Sequence, residues 1–195
     1  AIGGLLRELD YAGRRARFGA RAATRLWVEL GLVPPEPGAT LVSLFAYENP
    51  AIHTLLEAWS AGATPIALVV PMGRIGPGVA ASLGTNAEPG RTVRRGSLAV
   101  SFVPFMPQPR YDELLWACDW NFVRGEDSFL RAQWAERPFC WHIYPQAEAA
   151  HWAKLDAFLD LYLAGLTGPA AAGLAALWRG WNGAGGVPAA AVVDA

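Results

Sequence analysis

Short apolar runs alternate with helical patterns along most of this chain. The runs at 41–47 and 66–70 are bounded by turn residues, which is typical of strands that are buried on both faces. Between them, apolar residues recur at helical spacing from Pro50 to Gly62, two residue types that favour the start and the end of a helix. The same alternation continues toward the C-terminus. It predicts strands at 98–103, 120–123 and 139–143, and helices up to about residue 84 and at 111–118, 128–135 and 147–164.

This alternation defines the expected fold. Strands separated by helices form βαβ units, and the crossovers of such units favour parallel strands. We therefore expect an α/β protein with one Rossmann-like domain, a doubly wound parallel sheet over residues 40–182, closed by a helix around 174–181. Residues 1–39 are expected to form an N-terminal linker and an arginine-rich helix, and residues 183–195 a flexible tail.

The arginine-rich segment lies at residues 10–30. It combines five arginines with apolar residues and is followed by Gly31 and Pro34-Pro35, a pattern that predicts one surface helix. Because the arginines spread around the helix instead of converging, we interpret them as a solvated face. Phosphate binding by these arginines is the alternative.

The composition describes a compact globular chain and narrows the classes of partner. Of 195 residues 53% are hydrophobic, and 16 basic residues face 17 acidic ones. Nucleic-acid binders usually carry an excess of basic residues, so no nucleic-acid partner is expected. The sequence shows neither a secretory signal pattern nor a membrane-spanning apolar run, and we expect a cytoplasmic protein without a membrane partner. Since Ala1 stands where an initiator methionine would, we also expect that an N-terminal portion has been lost.

The sequence predicts no metal or cofactor site. Cys118 and Cys140 show no CxxC spacing and have no histidine at metal-ligand spacing, which favours reduced, buried thiols. The three histidines, His142 among them, lack a neighbouring nucleophile motif and are interpreted as structural or surface residues. No Asp-x-Asp pair is present, which disfavours a transferase that holds its sugar diphosphate through a metal.

A glycine-rich turn at residues 76–81 matches the pattern G-x-G-x-x-A. A dinucleotide site also requires an acidic residue about 20 residues further on, and that region holds Gly96-Ser97-Leu98 instead. We therefore expect these glycines to relieve backbone strain in a loop.

The turn after the fourth predicted strand carries the most distinctive chemistry. Arg124, Gly125, Glu126, Asp127 and Ser128 immediately precede a predicted helix, with Asp127 or Ser128 as its N-cap. Exposed backbone N–H groups and the helix dipole favour an anion such as a pyrophosphate there, and Arg124 adds a charge-assisted fork. Glu126 is a candidate for binding hydroxyl groups of a sugar or for positioning an arginine. An ordinary helix cap with a surface ion pair fits the same residues.

Aromatic residues flank two other strand ends. Phe45 and Tyr47 end the first strand, while Phe105 and Tyr111 flank the loop after the third, which also contains Gln108. Rings at such positions can sandwich a base or cover an apolar sugar face, and Gln108 could read a base edge. Burial of these rings in the core is the alternative.

Several of these segments resemble the elongation factor P arginine rhamnosyltransferases. The resemblance spans about residues 3–182 and is carried by 43–49, 115–119, 121–128, 131–134 and 138–146, with the run from 121 to 146 the most specific. It implies that the chain is the C-terminal, donor-binding domain of a two-domain GT-B glycosyltransferase. The donor would be dTDP-β-L-rhamnose, the acceptor an arginine of elongation factor P, and the reaction inverting and independent of metal.

The resemblance also implies roles for individual residues. Phe45, Phe105 and Tyr111 would surround the thymine nucleotide with Gln108 nearby, although Tyr111 replaces a phenylalanine that is usual in the family. Tyr47 would face the sugar. Arg124, Glu126, Asp127 and Ser128 would handle the diphosphate and its surroundings, with Glu126 and Arg124 as the catalytic residues of this half.

The same resemblance places the aspartates that activate the acceptor in the N-terminal half of the family's enzymes. We therefore expect donor binding without efficient turnover from this chain alone. Two other functions compete with this interpretation. One is a nucleotide-sugar epimerase of the same fold, and the other is a non-catalytic interaction module that uses the arginine-rich helix.

Overall fold

A computed structural model of the chain describes residues 7–146 and 149–186, which form eight α-helices and six strands. The helices are α1 (Tyr11–Arg17), α2 (Ala20–Glu29), α3 (Ile52–Ala61), α4 (Gly76–Ser82), α5 (Gln108–Ala117), α6 (Asp127–Ala135), α7 (His151–Tyr162) and α8 (Gly168–Trp181). The strands are β1 (Thr40–Leu44), β2 (Ile66–Pro71), β3 (Thr92–Arg95), β4 (Leu98–Val103), β5 (Trp120–Arg124) and β6 (Phe139–His142).

The six strands form one sheet in the order β3-β4-β2-β1-β5-β6. All neighbouring pairs are parallel except β3 and β4. From β1 the chain first moves outward through β2 to β4 and then returns to the other side of β1 for β5, so the strand order reverses between β1 and β5. The expected α/β fold with a mostly parallel sheet is confirmed.

Helices cover both faces of this sheet. Phe122 of β5 contacts Trp59 of α3 and Trp181 of α8, with ring centroids 6.1 and 4.8 Å apart. The preceding residue, Asn121, points to the opposite face and donates from Nδ2 to the carbonyl oxygen of Leu115 in α5 at 3.1 Å. All residues of β2 except Ala67 and all residues of β5 except Arg124 are buried, because these strands are covered from both sides, which explains their apolar runs.

A buried hydrogen bond joins the two strands at which the order reverses. Ser43 Oγ in β1 donates to Asn121 Oδ1 in β5 at 2.5 Å, and both residues are fully buried. Just before β5, Asp119 Oδ2 accepts from the Leu41 backbone N–H at 2.9 Å. The register of β1 against β5 is therefore fixed by side chains in addition to the backbone ladder.

The outer edge of β6 is closed by side chains from the two C-terminal helices. Tyr162 Oη accepts from the Phe139 N–H, and Trp178 Nε1 donates to the Phe139 carbonyl, both at 3.1 Å. Asn182 Nδ2 donates to the Trp141 carbonyl at 2.8 Å, and its Oδ1 accepts from the Ile143 N–H at 3.0 Å. These contacts satisfy backbone groups that an edge strand otherwise leaves open.

The prediction of one helix over residues 10–30 is wrong. The segment forms two helices, α1 and α2, because Phe18 and Gly19 have extended backbones with φ values of −76° and −136°. Tyr11 and Trp27 are buried in the same core as the strands, so these helices pack on the domain. Two of the arginines are also less solvated than expected, since Arg14 and Arg15 lie in ion pairs with Asp10 and Glu136 at 3.3 and 2.9 Å.

Strand β3 was not predicted, since its residues Thr92–Arg95 contain two arginines and no apolar run. It exists because it pairs antiparallel with β4 through a two-residue turn. The glycines at 76 and 78 are also not in a loop, as expected, but in the first turn of α4, where they adopt no positive φ. They therefore relieve no strain there.

Two predicted segments fall partly on residues that lie outside the described ones. The helix predicted from residue 147 is described from His151 to Tyr162. Of the predicted tail, 183–195, only residues 183–186 are described.

We predict that Gly96→Ala strongly destabilises the domain. Gly96 has a φ of +56° in the β3–β4 turn, and an added Cβ would lie 2.0 Å from the carbonyl oxygen of Ser60 at the end of α3. The turn cannot retreat easily, because the adjacent Ser97 donates from Oγ to the Trp59 carbonyl at 2.7 Å. Urea unfolding should show a loss of at least about 3 kcal/mol in the free energy of unfolding.

Gly90→Ala is the matched control. Gly90 also has a positive φ, +83°, but an added Cβ would meet no atom within 4 Å. It should cost only the backbone strain of about 1 to 2 kcal/mol. Equal losses in the two variants would contradict the close approach of Gly96 to Ser60.

Candidate functional site

A cleft of about 460 Å³ opens at the carboxyl ends of β1 and β5, where the strand order reverses. Ligands of open α/β sheets bind in this position, since α3 and α6 leave the two strands toward opposite faces. We call it the β1–β5 cleft. It is lined by all nine residues that the sequence proposed for the site together with Pro71, Met106, Pro107 and Gly125; the nine are Phe45, Tyr47, Phe105, Gln108, Tyr111, Arg124, Glu126, Asp127 and Ser128. A second cavity of about 310 Å³ lies near the amino ends of the strands and contains none of them.

Arg124, the last residue of β5, brings an unneutralised positive charge to the cleft. Its guanidinium carbon lies 4.5 Å from the centroid of the Phe45 ring and 4.8 Å from that of the Tyr47 ring. Within residues 7–146 and 149–186 it forms no ion pair, and its buried Nε has no hydrogen-bond partner. Aromatic faces thus orient the guanidinium without cancelling its charge.

The turn from Arg124 to Ser128 is held by hydrogen bonds at its ends. The Ser128 hydroxyl donates to the Arg124 carbonyl oxygen and accepts from the Arg124 N–H at 3.1 Å. Between them Gly125 has a φ of +64°, and its carbonyl accepts from Trp141 Nε1 at 2.7 Å. The Ser128 proton is therefore committed to the turn, and the donors that the turn offers a ligand are its backbone N–H groups and the Arg124 guanidinium.

The expected capping of α6 is wrong. The helix begins at Asp127, its N-cap is Glu126, and no side chain of the described residues caps it. Ser128 bonds back to Arg124 instead, which closes the turn in the way that a cap would. The first backbone N–H groups of a helix without a side-chain cap remain available to an anion.

Asp127 and Gln108 are joined across the cleft. Gln108 Nε2 donates to Asp127 Oδ2 at 2.9 Å, and Asp127 Oδ1 lies 3.4 Å from Nε of the buried Arg131. An ionised carboxylate only accepts hydrogen bonds, so the amide nitrogen of Gln108 must face it. The Gln108 carbonyl oxygen is thereby left as the free group of this side chain.

Glu126 is exposed at the cleft and forms no ion pair with any residue that the structure describes. Its carboxylate is free to accept hydrogen bonds from a ligand. The arrangement does not resemble the surface ion pair that a purely structural turn would contain, because Arg124 and Glu126 are not paired with each other.

Aromatic rings form one wall of the cleft. The Phe45 ring lies 5.5 Å from Tyr111 and 6.4 Å from Phe105, centroid to centroid. Phe105 is 72% exposed, whereas Tyr111 is buried, and its hydroxyl meets the geometric criteria of a hydrogen bond with none of the described residues. Burial raises the pKa of the Tyr111 hydroxyl, so it stays protonated. The wall therefore combines an exposed apolar surface with one buried polar atom, the Tyr111 hydroxyl oxygen, that has no partner among the described residues.

His142 lies next to the site but was not among the residues predicted for it. It ends β6, pairs in register with Arg124, and its ring lies 5.3 Å from Tyr47. Burial, followed by the charge of Arg124, lowers its pKa to about 4, and its buried Nδ1 has no hydrogen-bond partner in the part of the chain that the structure describes. Its place at the end of the strand next to β5 was the signal that could have identified it.

No group of three or more histidine, cysteine, aspartate or glutamate side chains among the described residues could hold a metal ion. No helix among these residues is long and apolar enough to cross a membrane.

Comparisons with known proteins show the family of the chain. Residues 1–193 match the family model described as elongation factor P (EF-P) rhamnosyltransferase EarP. The chain belongs to this family. A protein-arginine rhamnosyltransferase of Pseudomonas putida is 50% identical over 92% of the chain, and one of Pseudomonas aeruginosa is 48% identical over 96% of it.

A solved structure supports the same assignment. It is described as the structural basis for EarP-mediated arginine glycosylation of translation elongation factor EF-P. The two structures superpose over 99% of this chain and 62% of the solved chain, with a TM-score of 0.85 and 42% sequence identity. The chain therefore shares the fold of EarP, a GT-B glycosyltransferase. The chain spans about half the length of the two curated relatives, 48% and 50%. Membership in the EarP family favours a glycosyltransferase over the epimerase and the interaction module.

We predict that His142 makes the stability of the domain sensitive to mild acid. Its pKa in the folded state is about 4, below the value of about 6.5 in an unfolded chain, so the unfolded state binds the proton first as the pH falls. The contribution of neutral His142 is complete above about pH 6.5 and is lost progressively toward about pH 4. Urea unfolding at about pH 7 and about pH 4.5 should show about 2 to 3 kcal/mol of this loss.

His142→Gln is the comparison that isolates this effect. Glutamine cannot be protonated in this range, so the variant should lose less stability between the two pH values than the parent. An identical pH dependence in both proteins would assign the acid sensitivity to other groups.

Proposed function

We propose that the β1–β5 cleft binds dTDP-β-L-rhamnose as the donor site of an inverting glycosyltransferase that rhamnosylates an arginine of translation elongation factor P. The observation that carries the proposal is the unpaired guanidinium of Arg124 beside the uncapped start of α6. Family membership and the acceptor named for the solved relative support it. The reaction would need neither a cofactor nor a metal, and we propose that it takes place in the cytoplasm, away from membrane and nucleic acid.

The diphosphate would lie between Arg124 and the first turn of α6. Arg124 offers a planar fork for two oxygens, and the free backbone N–H groups around Glu126 and Asp127 add the positive end of the helix dipole. As the bond to the anomeric carbon breaks, charge builds on the departing dTDP. Groups already oriented toward that charge stabilise it without reorganisation, which is how this site would substitute for a metal.

The nucleoside would lie on the aromatic wall. Phe45, Phe105 and Tyr111 offer an apolar surface for a thymine ring and its methyl group. The free carbonyl oxygen of Gln108 provides an acceptor for the N3–H of thymine. Tyr47 and Glu126 remain for the sugar, with Glu126 as an acceptor for its hydroxyl groups or as a partner of the acceptor arginine.

The acceptor half of the reaction requires groups outside this cleft. A guanidinium is a poor nucleophile because its charge is delocalised and it stays protonated at neutral pH. Carboxylates must orient and activate it, and Glu126 is the one unpaired carboxylate that this cleft offers among the described residues. We therefore propose donor binding by this chain without efficient turnover.

We predict that titration calorimetry detects dTDP and dTDP-rhamnose binding to this chain. UDP sugars should bind at least about tenfold more weakly, because uridine lacks the thymine methyl group and carries a polar ribose 2′-hydroxyl at the apolar wall. Absence of dTDP binding to folded protein would refute the donor site. Equal binding of UDP sugars would refute its selectivity.

We also predict that Arg124→Ala weakens dTDP binding by about ten- to a hundredfold, the usual loss when a charge-assisted contact is removed. Arg21→Ala is the control, since Arg21 is an exposed arginine on α2, outside the cleft. It changes the net charge equally and should leave the affinity unchanged. Equal affinities of both variants for dTDP would exclude a diphosphate role for Arg124.

A further inference from the structure

A buried arginine lies behind the cleft and touches none of its space. Arg131 of α6 is 3% exposed, and its Nη1 donates to both carboxylate oxygens of Asp112 in α5, at 2.8 and 2.9 Å. Its Nη2 donates to Glu8 Oε1 at 2.6 Å. Asp112 is also buried and has a second cation, Arg14, at 3.5 Å. The guanidinium is thus clamped on two sides by carboxylates.

The third side of this guanidinium faces the cleft. Arg131 Nε lies 3.4 Å from Asp127 Oδ1, and the other oxygen of Asp127 accepts from Gln108 at 2.9 Å. Asp127 stands where an anion is expected, and an unneutralised carboxylate there would repel a diphosphate. Arg131 supplies the neutralising charge from the protein side, where it cannot be deprotonated and cannot reach the ligand.

We propose that Arg131 is a positioning residue for nucleotide selection, acting through Asp127 on Gln108, and that Asp112 holds Arg131 in place. The proposal rests on the proposed function of the cleft. Arg131 Nε, 3.4 Å from Asp127 Oδ1, holds this carboxylate in place, and a carboxylate that accepts from Gln108 Nε2 turns the amide nitrogen of Gln108 toward itself. The carbonyl oxygen of Gln108 is then fixed as a hydrogen-bond acceptor toward the ligand.

This orientation predicts a class of base. A fixed acceptor suits the N3–H of an imide base such as thymine, whereas cytosine presents a lone pair at N3 and would leave two acceptors facing each other. When a bound base covers an acceptor and offers it no donor, the unsatisfied acceptor costs about 1 to 3 kcal/mol, which corresponds to about ten- to a hundredfold in affinity. The parent protein should therefore bind dTDP at least about tenfold more tightly than dCDP.

Arg131→Lys tests whether Arg131 acts through Asp127 on Gln108, a chain of contacts that we call the relay. Lysine keeps the charge, but a single ammonium group cannot contact Asp112 and Asp127 at once. We expect the ratio of the dCDP and dTDP dissociation constants, measured by calorimetry, to fall to within about threefold of unity. If Arg131 had a purely structural role, the substitution would weaken the binding of both nucleotides equally and leave the ratio unchanged. That result would overturn the proposal.

Arg14→Lys is the matched control. Arg14 also contacts Asp112 but forms no ion pair with Asp127 in the part of the chain that is described, so this variant should keep the parental ratio. If the Arg131→Lys variant does not fold, Asp127→Asn tests the same dependence of selectivity on Asp127, because Asp127 is exposed and its substitution does not disturb the core. Asparagine both donates and accepts, so the Gln108 amide loses its fixed orientation and the same loss of selectivity is expected. An unchanged ratio there would overturn the relay.

The outcome separates this inference from the function on which it rests. A parent protein that binds no dTDP contradicts the donor site itself. A parent that binds dTDP and dCDP equally well contradicts the orientation of Gln108 and leaves the donor site intact.

Discussion

The pairing of β1 with β5 determines where the cleft forms and which side chains meet in it. Ser43 and Asn121 form a hydrogen bond in the interior, where neither could be left unpaired without a cost of about 1 to 3 kcal/mol. Since the two strands are parallel to each other, their carboxyl ends lie at the same edge of the sheet. From there the chain continues into α3 on one face of the sheet and into α6 on the other. The crevice between α3 and α6 is a geometric result of that divergence. Phe45 and Arg124 face each other because they follow these two strands.

Most of the sheet could be predicted from the sequence, because strands buried on both faces must be apolar runs. The exceptions have physical causes. Strand β3 contains Arg94 and Arg95, is mostly exposed, and owes its conformation to β4 instead of to its own composition. The break between α1 and α2 at Phe18 and Gly19 was hidden by continuous helical spacing, since spacing alone does not report where the backbone turns.

The site shows a similar division. The residues that line the cleft could be proposed because each follows a predicted strand, and the family resemblance selected among them. Their interactions could not be predicted. The bond from Ser128 back to Arg124 depends on the turn geometry, and the contact of Gln108 with Asp127 joins two separate loops. Arg131 and Asp112 look like ordinary helix-surface residues in the sequence and become a buried pair only when α5 and α6 pack together.

The side chains along β6 have a consequence for the behaviour of the chain with other copies of itself. An open sheet edge is a template on which a second molecule can add a strand, the first step toward domain swapping or aggregation. Tyr162, Trp178 and Asn182 occupy the hydrogen-bonding positions that such a strand would need. At the other edge, Arg94 and Arg95 place charge on β3. Strand addition is therefore blocked at β6 by side chains that occupy its backbone groups and disfavoured at β3 by charge.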